Sequence, residues 1–422
     1  MFGVISLTLK RRRKMTYSIV KRLALTATVS TVAFLSGCMP SGSVKPVQLT
    51  AQDSAWLSSK PAALQSAYEN LLTGANNSRT LLNMEIASTA IRKGYYDSAK
   101  AALDKSLDNI ETIYANNPEA KKARSLWYSE DNKDFKGESY ERAMAYCYRG
   151  LLYLVDGDYD NARASFESGI LQDAFAEEEQ NSADFAVLMY LSIWASQKAG
   201  STSLANERWR ELSSIRPDIT RPPVDHDTLV FVGTGKSPRK LRDGIDGEDL
   251  VYRRGKKFSS LAAQVDTGQG WNKMKPIEDL YYQAATRGGR PVDRINKGKA
   301  KFKSGAFDFG NSIMSIGSEV QVFSAGGGLR GSASDVAGGL VAIGAISSII
   351  ASRVKAKADN RYWHGLPDGL HIYTYSSKGL SNTDSVKIQF MGKGGLAVGA
   401  PVTSKVHRDR RGNGIVIAHS SL

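Results

Sequence analysis

Cysteine and histidine are scarce, and that scarcity narrows the possible chemistry first. The chain has 2 cysteines, Cys38 and Cys147, in 422 residues, too few for a disulfide framework. Its 5 histidines are scattered. Asp225-His226-Asp227 could begin a metal site and His364 or His407 could serve as a base, yet none has a second ligand or a nucleophile at a useful spacing. No metal, cofactor or catalytic residue is assigned. Long apolar runs are also lacking. Val336 to Ser352 is uncharged, but it is shorter than the roughly 20 residues that span a bilayer and is diluted by Gly338, Gly339 and Gly344. It reads as a buried core helix. Gly233-Thr234-Gly235-Lys236-Ser237 has Val230 where a phosphate loop needs its leading glycine, and Pro238 where the helix should open. It reads as a turn leaving a strand.

What is present begins with an address. Lys10-Arg11-Arg12-Arg13-Lys14 and Lys21-Arg22 precede an apolar run from Leu23 to Leu35, the charged and hydrophobic regions of a secretory signal. Met15 is an alternative start that leaves a signal of more usual length. The run closes on Leu35-Ser36-Gly37-Cys38, which resembles the lipobox of bacterial lipoproteins. That resemblance implies that Cys38 takes a diacylglycerol and becomes the first mature residue. Acyl chains such as palmitate, at roughly 0.8 kcal/mol per buried CH₂, would then hold the protein on a membrane. By the same resemblance to sorted lipoproteins, Met39 rather than Asp at the second mature position implies the outer membrane, facing the periplasm of a Gram-negative bacterium. Acylation leaves Cys147 alone, so no intramolecular disulfide can form, and Cys147 reads as a small buried hydrophobe.

The segments expected are a signal peptide (1–37), a tether (38–53) in which Pro40 and Pro46 oppose helix, a helical domain (54–220) and a basic β-rich domain (221–422). In the helical domain, apolar residues recur at three and four. From Ala143 to Ala174, Tyr146, Gly150, Tyr153, Gly157, Tyr159, Ala162, Phe166 and Gly169 set small residues against large ones. Two antiparallel helices need this if they are to approach closely, and Gly157-Asp158 makes their turn. The stretch resembles a tetratricopeptide repeat. Weaker units, with Gly94, Tyr96, Ala99 and Leu103 before it and Ile193, Gly200, Ala205, Trp209 and Pro217 after it, imply a short α-solenoid.

Two further stretches, Phe135-Lys136-Gly137-Glu138-Ser139-Tyr140-Glu141-Arg142 and Ala358-Asp359-Asn360-Arg361-Tyr362-Trp363-His364-Gly365-Leu366-Pro367, read F-x-G-E-x-Y-E-R and A-D-x-R-x-W-x-x-L-P. They resemble motifs of an uncharacterised proteobacterial lipoprotein family, which implies no activity. Asp359, Arg361 and Trp363 read as a clasp between helix and sheet, with the arginine paired to the carboxylate and stacked on the indole.

After Arg221-Pro222-Pro223 the period falls to two. Strands are expected at Thr228–Val232, Glu319–Phe323, Leu370–Tyr375, Val386–Met391 and Gly414–Ala418, with helices at Pro276–Thr286 and Ala333–Lys355. The fold class is α+β: a tetratricopeptide-like α-solenoid, then a small antiparallel β-rich domain with packed helices. Lys297, Lys299, Lys301 and Lys303 alternate with other residues and would form an anion-facing stripe on a strand, or be merely solvated in a loop. Charge divides the same way. Cys38 to Thr220 carries 19 basic and 25 acidic residues, and Arg221 to Leu422 carries 30 and 17, so the halves have opposite sign.

These readings point to a non-enzymatic outer-membrane lipoprotein, a scaffold for protein–protein interaction in the periplasm. Its repeats would bind an envelope protein, and its basic half an anionic lipid or cell-wall polymer. The address argues against nucleic acid. One alternative is a regulator of cell-wall synthesis, resembling in architecture the repeat-bearing lipoprotein activators of penicillin-binding proteins. Another is an envelope enzyme acting on glycan or lipid, for which no acid, base or nucleophile can be nominated.

Overall fold

The computed structural model describes residues 48–114, 134–174, 184–243, 249–286 and 359–420. The signal segment, Cys38, Lys297, Lys299, Lys301 and Lys303, the strand expected at Glu319–Phe323 and the helix expected at Ala333–Lys355 lie outside the described residues.

Thr50 opens α1 (Ala51–Ser58) with a capping box: its hydroxyl accepts from the Asp53 amide at 3.1 Å and its own amide donates to the Asp53 carboxylate at 3.0 Å. After α2 (Gln65–Thr73) come three helical hairpins. They pair α3 (Arg79–Lys93) with α4 (Tyr96–Tyr114), α5 (Ser139–Asp156) with α6 (Tyr159–Ala174), and α7 (Ala186–Ala199) with α8 (Thr202–Ile215). The first helix of each pair ends on a left-handed glycine, Gly94, Gly157 or Gly200, at φ 76°, 73° and 82°. The next amide, of Tyr95, Asp158 or Ser201, donates to the carbonyl five residues back at 2.9, 2.9 and 2.8 Å. This closes the carbonyls a helix end leaves open, and the backbone conformation favours glycine.

The first helix of each pair is also the inner one. Tyr140 to Tyr148 on α5 and Ala186 to Ser196 on α7 are buried without interruption, whereas α8 buries only Ala205 and Leu212. A helix buried all round needs cover on two sides. The second side is supplied by the chain past Arg221, which forms β1 (Thr228–Thr234), β2 (Arg239–Asp243), β3 (Asp249–Arg253), β4 (Ala262–Asp266), β5 (Trp271–Lys273), β6 (Lys275–Asp279), α9 (Leu280–Thr286), β7 (Gly369–Tyr375), β8 (Ser385–Met391), β9 (Ala397–Lys405), β10 (His407–Arg408) and β11 (Gly414–His419). The strands build a sheet ordered β10-β11-β1-β7-β6, a second ordered β5-β4-β8-β9, and a β2-β3 ribbon.

β1 is buried along its whole length because both its faces are covered. Leu229 and Phe231 join Leu370, Ile372, Ile415 and Ile417 in the core shared with the helices. Val230 and Val232 join Val416, Val265, Ile388 and Phe390 between the two sheets. The period of two alone assigns the faces. α3 and α5 lie against β11 and α7 against β6, so the layers run outer helices, inner helices, five-stranded sheet, four-stranded sheet. The core does not stop at Thr220: Tyr148 on α5 meets Phe231 on β1 edge-on at 6.5 Å. Val47 to Leu422 is one compact unit.

The mixed α+β class holds, with two corrections of detail. A single antiparallel sheet was expected, but there are several, and β1 runs parallel to β11. Parallel neighbours require a long crossover, and these two strands stand near opposite ends of the β-rich segment. The helix expected at Pro276–Thr286 begins only at Leu280, because Lys275–Asp279 pairs with β7. Pro276 has no amide to donate, and β6 is an edge strand with a register shift between Pro276 and Glu278.

Candidate functional site

The two motifs that lie more than two hundred residues apart meet around Trp363. Its indole is fully buried and edge-on to Tyr148 at 5.7 Å. Its Nε1 donates to Ser88 Oγ on α3 at 3.2 Å, its amide to Glu141 on α5 at 2.6 Å, and its carbonyl accepts from Ser237 Oγ at 2.7 Å. One residue thereby ties two inner helices to the turn after β1. Next to it, the His364 amide donates to Glu85 at 2.6 Å, and Arg92 donates to the Gly365 carbonyl. A Cβ at Gly365 would collide with Ser88, so only glycine lets this segment lie so close to α3.

Arg361 forms the expected bidentate pair with Asp359, at 2.9 and 2.8 Å. It also donates to the Asn77 carbonyl at 2.9 Å, which likewise accepts from the Phe135 amide at 2.7 Å. The ring over which it stacks is Phe135, at 5.6 Å, rather than an indole. Trp363 is already enclosed by helices, and Phe135 is the aromatic that the neighbouring motif presents to the guanidinium.

The other motif is equally engaged. Glu138 caps α5 and pairs with Lys240 on β2, while Arg142 donates back to the Gly137 carbonyl at 2.7 Å. Glu141 accepts from the Glu138 amide at 2.7 Å as well as from Trp363, and burial pushes its pKa up to about 7 against the pull of Lys240. A second buried group lies between sheet and helix. Arg254 bridges Asp279 and Asp368 at 2.6 Å each and lies over Tyr281 at 4.6 Å. Burial, together with the like charge of Asp279, pushes Asp368 up to about 7 against the pull of Arg254. Glu278 faces Gln283 and the Val187 amide, and burial takes it up to about 8. Sequence reasoning missed Lys240, Arg254, Glu278, Asp279 and Asp368, because burial of a charge leaves no local mark.

The residues read from sequence as a repeat have mixed surroundings. Phe166 and Ala162 are fully buried, and a Cβ at Gly150 would overlap the Phe166 ring. Gly169 instead admits Leu188 of the next hairpin, whose Cδ1 would be 2.9 Å from an added Cβ. Tyr146 reaches back to Glu111 at 2.9 Å, and Tyr153 lies beneath Arg149 at 3.8 Å. The turn at Gly157 meets the turn between β10 and β11, for Tyr159 donates to Asp409 and a Cβ on Gly157 would lie 2.8 Å from the Cβ of Asp409. An open cleft there is lined by Asp156, Asp158, Asp160 and Arg411, but Asp156 already pairs with Lys100 at 2.7 Å and Asp158 caps Asn161 at 3.2 Å.

The remaining polar candidates are held by neighbours. After β1 the chain enters β2, not a helix, and Ser237 is bound to Trp363, as a turn requires. His226 contacts Thr374 at 2.9 Å, His364 contacts Glu85 at 3.1 Å, and His407 packs on Tyr96 at 4.9 Å. Asp227 binds the amide and hydroxyl of Ser377. Among the described residues, no three histidine, cysteine, aspartate or glutamate side chains are grouped to hold a metal. Cys147 is buried, and burial raises its thiol pKa far above the usual range. No protein-family model, curated protein or solved structure matches this chain.

Proposed function

We propose that this chain is a non-enzymatic lipoprotein of the outer membrane, anchored through Cys38 and facing the periplasm, where its folded body acts as an interaction scaffold. The observation that carries the scaffold reading is the use made of the motif residues. Glu138, Glu141, Asp359, Arg361 and Trp363 join helices to sheet and to one another. Residues so engaged give rigidity and are poorly placed to turn over a substrate. We read the three hairpins as tetratricopeptide-like units, supported by the Gly150–Phe166 contact and the shared glycine turns.

The inner helices, which would line the binding groove of an open solenoid, are covered here by the chain's own sheet. Partners are therefore expected on the outer helices and the outer sheet, not in a groove. The anchoring is tested by fractionating cells that express the wild type or Cys38→Ala. Wild type should float with outer membrane, and the variant should accumulate as an uncleaved or soluble species. Recovery of wild type in soluble periplasm would refute the anchor. Turnover of purified sacculi or lipid by the isolated protein would refute the scaffold.

A further inference from the structure

The four-stranded sheet turns one face to the core, and its pairing register places the outward-facing positions along β5, β4 and β8 and the first stretch of the β8–β9 pairing. Val265, Ile388 and Phe390 point inward. Asp266 and Lys387, one residue out of step, point outward as direct partners, and Trp271 and Thr403 extend the same row. The flanking outward rows add Lys273 opposite Gln264 and Lys405 opposite Ser385. Lys273, Lys387 and Lys405 are all exposed, and Trp271 is 45% exposed. Asp266, the acid of this array, accepts from the Gly268 and Gly270 amides at 2.8 and 3.0 Å, which directs its carboxylate to its own turn.

We propose that this outer face, Trp271 with Lys273, Lys387 and Lys405, docks on the anionic headgroups of a phospholipid bilayer. The charge is complementary, with three lysines against one engaged carboxylate, and an exposed indole among ammonium groups suits the headgroup level of a membrane. The proposal rests on the lipid-anchored reading. From Cys38 to the start of α1 at Ala51, the chain spans at most roughly 43–47 Å even when fully extended. A tether of that reach supplies an effective concentration on the order of millimolar, so weak contacts suffice to hold the sheet against the surface.

The test uses the chain from Val47 to Leu422, the compact unit, which carries no acyl chain of its own. It is floated with neutral phosphatidylcholine vesicles, with vesicles containing phosphatidylglycerol, and in parallel sedimented with peptidoglycan sacculi. Binding is expected to the anionic vesicles alone and should fade as salt passes about 0.1 M. The combined Lys273→Gln, Lys387→Gln and Lys405→Gln variant should bind on the order of a hundredfold more weakly. Trp271→Ala should weaken binding severalfold, and Lys93→Gln with Lys105→Gln on the helical side should leave it unchanged. All are exposed positions, and an unaltered melting curve verifies folding. Equal binding to neutral vesicles, capture by sacculi alone, or full binding by the triple variant would overturn the proposal. Membrane fractionation that depends on Cys38 would survive each of those results, so the two readings fail separately.

Discussion

Glu278 shows how a single buried acid couples this fold to pH. Its carboxyl accepts from Gln283 at 3.1 Å and from the Asp279 and Val187 amides at 3.3 and 3.4 Å, and burial raises its pKa to about 8. Unfolded, it titrates near the ordinary value of about 4.3. Between the two values the folded state holds a proton that the unfolded chain lacks, so its contribution to stability is lost as pH rises through about 8. Glu141, raised to about 7, acts in the same sense. His371 and His419 act in the opposite sense, because burial lowers each to about 3 and their contribution is lost as pH falls. Glu278→Gln should therefore match wild type at about pH 4 and melt at progressively higher temperature than wild type as pH rises toward 8.5. A constant offset in thermal melts across that range would contradict the assignment. Nothing in Lys275-Pro276-Ile277-Glu278-Asp279 marks this acid, since Asp279 beside it is an acid too and the packing of α7 on β6 is what removes Glu278 from water.

At the scale of elements, the hairpin of α5 and α6 is the most legible part of the chain. Its period of 3.6 puts Gly150 on the face that meets Phe166, so both the helices and their contact follow from spacing. Gly150→Leu should overpack that crossing and cost about 1–3 kcal/mol in urea denaturation. Adding Phe166→Ala should recover part of the loss through coupling between touching residues. An unchanged midpoint for the single variant would mean that the crossing is not tightly packed. β9 stands at the other extreme. Gly399, Ala400 and Pro401 are poor strand formers, and the strand exists because β8 offers it a partner. As an edge it is protected against stray pairing by Pro401, by a register shift opposite Gln389 and by Lys405.

For the whole molecule, the deciding feature is one core beneath two kinds of secondary structure. Trp363, Tyr148 and Phe231 belong to it together, although the composition, charge and period of the chain all change near Arg221. Val47–Thr220 and Arg221–Leu422 expressed apart should each lack a cooperative thermal transition, since each would expose the inner face of α5 or β1. Mixing them should restore it. A sharp independent transition in either fragment would show that its core closes without the other.

The sequence by itself determined the local structure: three glycine-turned helical hairpins, the strands β1, β7, β8 and β11, and the opposite charges of the two halves. These depend on periodicity, turn chemistry and composition, which act over a few residues. Tertiary structure alone decided that the inner helices face a sheet rather than solvent, that Arg361 stacks on Phe135, and that Glu278, Asp368 and Arg254 are buried. The reason is that burial and charge pairing are properties of neighbours in space. A glutamate in water and a glutamate in a core are the same letter until the sheet closes over one of them.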